Sequence, residues 1–251
     1  DDAVRVVVVT GRGAAFCAGA DLAGGEVFAA DGELDFSSCP LSMQAWDLRK
    51  PVIAACNGHA IGVGLGIAVQ CDMRIFARGA KYGFLQNRRG VVADFGVEWL
   101  LPRLIGFERA FEMLVRGARI DGEEAAAWRL AGRAVQAQDV LPLALEIAAD
   151  MVQNCSPLVM GMHKRLLWRG LDMERDGLVA LAASQHAPAR CAGGGHGLRG
   201  EARAAVGRAP CGALAGVPVD EADSSVRSLP GMMPARVGRY PSPSADAAST
   251  G

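Results

Sequence analysis

The stretch KPVIAACNGHAIGVGLGIAVQCDMRIFA, residues 50–77, decides the fold. It opens on a short apolar run closed by Asn57-Gly58, the pattern of a buried strand ending in a turn. GVGLGIAVQCD then reads as a helix entered through glycines, and MRIFAR as a second strand. Upstream, Val4 to Thr10 is a β-branched run interrupted only by Arg5, which predicts a strand buried on both faces. Strands alternating with helices in this way predict an α/β chain with parallel pairing.

Between the first two strands lies GRGAAFCAGADL, Gly11 to Leu22. A loop of Ala and Gly brings backbone N–H groups close to a ligand, because no side chains hold it away. That pattern fits a polar pocket made of backbone, and it equally fits a tight strand-to-helix loop capped by Asp21. Farther on, PLSMQAWDLR, residues 40–49, carries apolar residues at helical spacing. From FGVEWLLPRLIG, residues 95–106, the character turns helical and stays so through HKRLLWRG, with Asp121 before Gly122-Glu123-Glu124 as a helix start. These changes divide the chain into a core over 1–115, a helical region over 116–183 and an atypical segment over 184–251. The last has no sustained period and few large apolar residues, so a disordered or poorly packed tail is expected. Its Gly, Ala, Arg and Pro content resembles out-of-frame translation of GC-rich DNA, and Asp1 sits so close to a strand that a truncated start is expected.

With 251 residues, of which 51% are hydrophobic and 21% charged, the chain has enough apolar material for one large domain or two small ones. Twenty-six Lys and Arg balance 27 Asp and Glu, and no basic run stands out, so nothing favours nucleic acid or an anionic membrane as partner. The longest apolar stretch, AIGVGLGIAV, is too short and Gly-rich to span a bilayer. The seven Cys form no CxxC pair, and most sit in apolar segments, which fits reduced thiols in a cytoplasmic protein. No residues have metal-ligand spacing. Gly62, Gly64 and Gly66 loosely echo a dinucleotide loop, but no strand-to-GxGxxG start with an acidic residue about 20 positions on accompanies them.

RVVVVTGRGAAFCAGADL, the 50–77 stretch, FGVEWLLPRLIG and GARIDGEEAAAWRLAGRAV, taken in order, resemble the crotonase superfamily, the enoyl-CoA hydratase/isomerase family, over roughly residues 3–180. The resemblance implies an α/β fold, a repeated ββα spiral core followed by a helical region that builds trimers or hexamers. It implies an acyl-CoA substrate whose thioester carbonyl is polarised by two backbone N–H groups, with coenzyme A part of the substrate and no further cofactor. Ala20 matches one of those donors and Val63 the second. Ala18, Gly19, Asp21 and Leu22 match the segment lying against the CoA moiety, and Gly62 precedes the second donor.

The chain departs from a hydratase at both family glutamates, whose matching positions are Gly66 and Gln86. A glycine has no side chain, and a carboxamide exchanges no proton at neutral pH, so the acid–base pair that activates water is missing. Asp94 matches the acid/base Asp of isomerase branches, those resembling dienoyl-CoA isomerases and the ring-opening isomerase of phenylacetate degradation. One such carboxylate removes a proton near the thioester and returns it at another carbon, shifting a double bond without water. The plainer reading has Asp94 capping a helix that starts at Phe95. Glu98, four residues on, would share its helix face and is either a second acid or a solvated side chain. The expected activity is therefore double-bond migration in an acyl-CoA. The alternatives are a hydratase with a non-standard acid and a catalytically silent acyl-CoA-binding paralogue or fragment. His59 is expected to be structural, Cys17 and Cys71 packing residues, and the exposed pair Arg88-Arg89 surface charge or CoA-phosphate contacts.

Overall fold

Val4–Gly11 (β1) and Ala15–Cys17 (β2) begin a pattern that repeats along the chain. Val52–Cys56 (β3) and His59–Ile61 (β4) follow, and the helix Val63–Gln70 (α1) leads to Met73–Ala77 (β5) and Lys81–Gly83 (β6). The first strand of each pair joins one sheet and the second strand joins another, so the chain climbs as a ββα spiral. The rest comprises Val97–Ile105 (α2), Phe107–Leu114 (α3), Arg119–Asp121 (β7), Gly122–Ala127 (α4) and Arg133–Val135 (β8). Ala137–Asn154 (α5), Pro157–Gly170 (α6), Arg175–Gln185 (α7) and Arg203–Ala209 (β9) complete it. The computed structural model describes residues 1, 3–19, 43–93, 95–185 and 203–209, all within the compact unit Asp1–Gly216.

The larger sheet runs β8-β5-β3-β1-β9 and is parallel throughout; the smaller runs β2-β4-β6-β7 and is parallel except for its β6–β7 pair. β3 is central in the larger sheet and buried along its whole length, as its unbroken apolar run requires. β1 corrects the expectation of a strand buried on both faces. Val6, Val8 and Thr10 are buried while the alternating residues are half-covered, because successive side chains face opposite sides and only one side is fully roofed. Val6, Ile53, Leu65, Phe76, Tyr82 and Leu101 lie in one continuous core between the sheets and the helices.

Three local expectations are also corrected. Of the described part of residues 40–49, only Ala45–Asp47 turns, as a short 3-10 segment. Its backbone is held from elsewhere: Gln70 Oε1 accepts from Ala45 N, and the Ala45 carbonyl accepts from Lys164 Nζ. The helical region contains β7 and β8, each too short to leave a period-2 signature. Within the segment expected to be irregular, Arg203–Ala209 pairs in parallel with β1, in register from Val6 to Gly11 after a bulge near Val4. The Asp121 helix start is present as read, its carboxylate accepting from Glu124 N at 3.0 Å.

Candidate active site

Parallel pairing of β2 with β4 sets Ala15 beside His59 and Cys17 beside Ala60, so the segments after Cys17 and after Ile61 leave the sheet side by side. Asn57 fixes the approach: its Oδ1 accepts from Gly11 N at 3.0 Å, and its Nδ2 donates to the Gly13 carbonyl at 2.8 Å. At Gly19, φ is +98°, and a Cβ there would stand 3.1 Å from the Ile61 carbonyl oxygen. The α1 side is equally tight, since a Cβ on Gly64 would meet the Cys17 carbonyl oxygen at 2.2 Å. Only residues lacking a side chain let these two backbones meet.

Gly62 opens α1 at φ +58° and ψ −119°, and no side chain caps the helix. The left-handed conformation therefore falls on the glycine, and Val63 is the first ordinary helical residue. Gly66 N already bonds the Gly62 carbonyl, whereas the N–H groups of Val63, Gly64 and Leu65 have no partner inside the helix. Together with the helix dipole, these form a preorganised positive end, suited to an oxygen that gains negative charge. Gly19, Gly62 and Val63 are thus brought together. Ala18 lies beside them and is exposed. Ala20, Asp21, Leu22 and Asp94 lie outside the described residues.

Gln86 packs over this turn, with Cδ, Oε1 and Nε2 each 3.5 Å from a Cβ built on Gly62, and Oε1 is buried with no hydrogen-bond partner. Gly66 faces the ring of Phe95, whose Cδ2 stands 2.8 Å from the place of a Cβ. Phe95 is buried and holds φ +69°, a conformation unusual for a residue with a Cβ. The helix expected to start at Phe95 instead starts at Val97, with the left-handed Gly96 as N-cap. The readings of Asp94 as a helix cap and as a neighbour of Glu98 on one helix face fall on a residue outside those described. Glu98 is exposed in the first turn of α2. Neither Phe95 nor its pairing with Gly66 was foreseeable from sequence patterning, which placed Phe95 inside a helix.

His59 is structural, its Nδ1 accepting from Lys81 N at 2.8 Å. Burial pushes the Cys71 thiol up to about 12 and the Cys56 thiol well above its usual value, so both stay protonated and packed. Arg88 extends over Gly117 and, with Arg116, Arg119 and Trp128, borders an open cleft of about 350 Å³. Among the described residues, no group of three or more His, Cys, Asp or Glu could hold a metal ion, and no helix is long and apolar enough to cross a membrane.

A two-sheet ββα spiral that presents an uncapped helix start beside a glycine loop is the crotonase fold. The family profile described as enoyl-CoA hydratase/isomerase matches residues 1–186, and the chain belongs to that family. An Alternaria alternata protein named enoyl-CoA hydratase ACTT3 is 37% identical over 174 residues, 68% of this chain and 59% of that protein. A crystal structure of a probable enoyl-CoA hydratase/isomerase from Mycobacterium abscessus superposes with a TM-score of 0.70 at 42% identity, covering 74% of this chain and 73% of that one. A monofunctional enoyl-CoA isomerase from M. smegmatis gives a TM-score of 0.59 at 35% identity, covering 71% and 78%. The chain spans about three-fifths of the length of the curated relatives it matches.

Proposed function

We propose that this chain binds an acyl-CoA thioester and shifts a double bond in its acyl group. The observation that carries the reading is the uncapped start of α1 at Val63, set against the Gly19 loop. In this reading the thioester oxygen accepts hydrogen bonds from the N–H groups of Val63 and Ala20. As a proton leaves C2, negative charge gathers on that oxygen, where fixed donors stabilise it more than the neutral carbonyl. Ala18, Gly19, Asp21, Leu22 and Gly62 line the approach of the CoA moiety. Asp94 takes the proton and returns it at another carbon. Coenzyme A arrives with the substrate, and the chemistry requires no metal or redox cofactor.

Migration is favoured over hydration by what surrounds α1. Water addition asks for a carboxylate pair, whereas here residue 66 has no side chain and faces a phenyl ring, and residue 86 carries a neutral carboxamide. The names of relatives include both hydratases and an isomerase, which supports hydration through another acid, such as Glu98, as the second reading. A cytoplasmic homotrimer or hexamer is the proposed working form. Exposed apolar residues support it, with Phe107 and Phe111 on α3 and Val115 just past its end at 76%, 51% and 50% exposure.

The test is a paired assay of purified protein, following crotonyl-CoA hydration and double-bond migration in a 3-enoyl-CoA, with Asp94→Asn alongside. Migration lost in the variant while the CoA ester still binds supports the reading. Hydration by wild type moves the acid–base role elsewhere, and silence in both assays leaves a binding protein.

A further inference from the structure

The open cleft beside Gly117 is bounded by Arg88, Glu112, Arg116, Arg119, Glu124 and Trp128, none of which belongs to α1 or to the loops around Gly19 and Gly62. Two of its arginines are seated by glycines. The Arg88 stem lies over Gly117, with Cγ and Nε 3.2 and 2.9 Å from the place of a Cβ there. Arg119 pairs with Gly83 across β6 and β7, and its Cγ stands 3.0 Å from the place of a Cβ on that glycine. Asn87 Nδ2 donates to the Val115 carbonyl, which ties the 3-10 turn carrying Arg88 to the end of α3. Each guanidinium is thus carried on a stem packed against backbone, so less rotamer freedom is left to lose when a ligand binds.

Charge pairing leaves these two arginines over. Arg116 is engaged by Glu112 at 2.9 Å, whereas among the described residues neither Arg88 nor Arg119 forms an ion pair. We infer that the cleft is a binding site for a small hydroxylated phosphate ester, a sugar phosphate in kind. Two guanidinium forks from different elements match a phosphoryl group, whose several oxygens accept from both at once. Glu112 and Glu124 would repel further negative charge, so the rest of the ligand must bring donors, and hydroxyls supply them. Trp128 is half-buried under the Arg109 guanidinium, 5.3 Å from its ring, and gives the cleft an apolar wall for the carbon skeleton. A volume of about 350 Å³ is at the small end of ligand sites, which fits a monosaccharide phosphate rather than a whole coenzyme A. This inference goes beyond the acyl-thioester reading and does not depend on it.

The test is calorimetric titration of the whole chain, at fixed ionic strength, with ribose 5-phosphate, inorganic phosphate and ribose, repeated for Arg88→Gln, Arg119→Gln and Arg89→Gln. Ribose 5-phosphate is expected to bind wild type more tightly than phosphate, and ribose not at all. Arg88→Gln and Arg119→Gln should each weaken it by about tenfold to a hundredfold, the usual effect of losing a charged hydrogen-bond donor. Arg89, adjacent in sequence but not lining the cleft, should be replaceable without effect. Absence of ribose 5-phosphate binding overturns the inference. Phosphate binding as tightly as the ester means an adventitious ion only, and equal weakening in Arg89→Gln means diffuse surface charge; either overturns it too. The titration is repeated with butyryl-CoA present: undiminished binding of ribose 5-phosphate supports a separate site, whereas competition places the ester in the coenzyme A site and overturns the inference.

Discussion

The ring of Phe95 rests on Gly66, with Cδ2 2.8 Å from the place a Cβ on residue 66 would take. The missing side chain at 66 and the left-handed backbone at 95 are therefore one arrangement. Putting a glutamate back at 66 does not rebuild a carboxylate pair, because the ring occupies the space. Gly66→Ala is expected to destabilise the fold by about 1–3 kcal/mol through overpacking. Gly66→Glu with Gln86→Glu should hydrate crotonyl-CoA no faster than wild type does. Urea denaturation and a hydration assay check the two outcomes, and a double variant that hydrates faster would mean that the ring yields easily.

The role given to the Val63 amide can be isolated by removing its proton and little else. Proline is tolerated at the first position of a helix, where the missing N–H has no intrahelical partner, and Gly62 has no Cβ to clash with the ring. Val63→Pro should keep the thermal midpoint within a few degrees while kcat falls by about 10²–10³-fold, the usual cost of losing an oxyanion donor. Turnover unchanged in a folded Val63→Pro protein would remove that amide from the mechanism.

Much of this was legible along the chain because it is local. The apolar run Val52–Cys56, the glycine entry to α1 and the Asp121 cap each write their structure into a few adjacent residues. What was not legible depends on partners far away in sequence. Apolar spacing at 40–49 pointed to a helix, but Gln70 and Lys164 claim the Ala45 backbone and leave only a short turn. Phe95 sits in a run that scans as helical, and only its fit on Gly66 explains a positive φ. The strand Arg203–Ala209 has a composition that reads as coil and is ordered by the open edge of β1. At the site, the glycines that open α1 are local and legible, whereas which side chains face the start of that helix is set by packing between α1, the Gln86 turn and Phe95.

Lys164 shows how strongly a distant residue acts. Its Nζ lies 2.8 Å from Asp72 Oδ2 and donates to the carbonyls of Ala45 at 2.7 Å and Lys50 at 3.0 Å. Asp72 also accepts from Val52 N and from Trp168 Nε1, each at 2.7 Å. This cluster ties α6 to the starts of β3 and β5, and the Lys164 side chain is 5% exposed. Lys164→Met leaves the Asp72 carboxylate without its cation and two carbonyls without a donor. A loss of about 3–5 kcal/mol is expected by urea denaturation. A loss below about 1 kcal/mol would mean that solvent replaces the ammonium.

The buried thiols give the fold a definite response to alkali. The Cys71 thiol has an ordinary value of 9.0 and is pushed up to about 12, chiefly by burial and further by Asp72, with Arg74 pulling the other way. Between those values the unfolded chain has released a proton that the folded chain still holds. The native state then binds more protons, so stability falls as pH rises from about 9 toward 12. A single such thiol contributes a slope of about 1.4 kcal/mol per pH unit inside that window. Burial lowers the Lys164 ammonium, so there the unfolded chain binds the extra proton and stability gains with pH, opposing the thiols. Comparing wild type with Cys71→Ala cancels that background: urea midpoints between pH 8 and 11 should fall less steeply in the variant, whatever its stability at pH 8. Parallel curves would mean that the thiolate forms in the folded protein as readily as in the unfolded chain, through opening of the turn between α1 and β5.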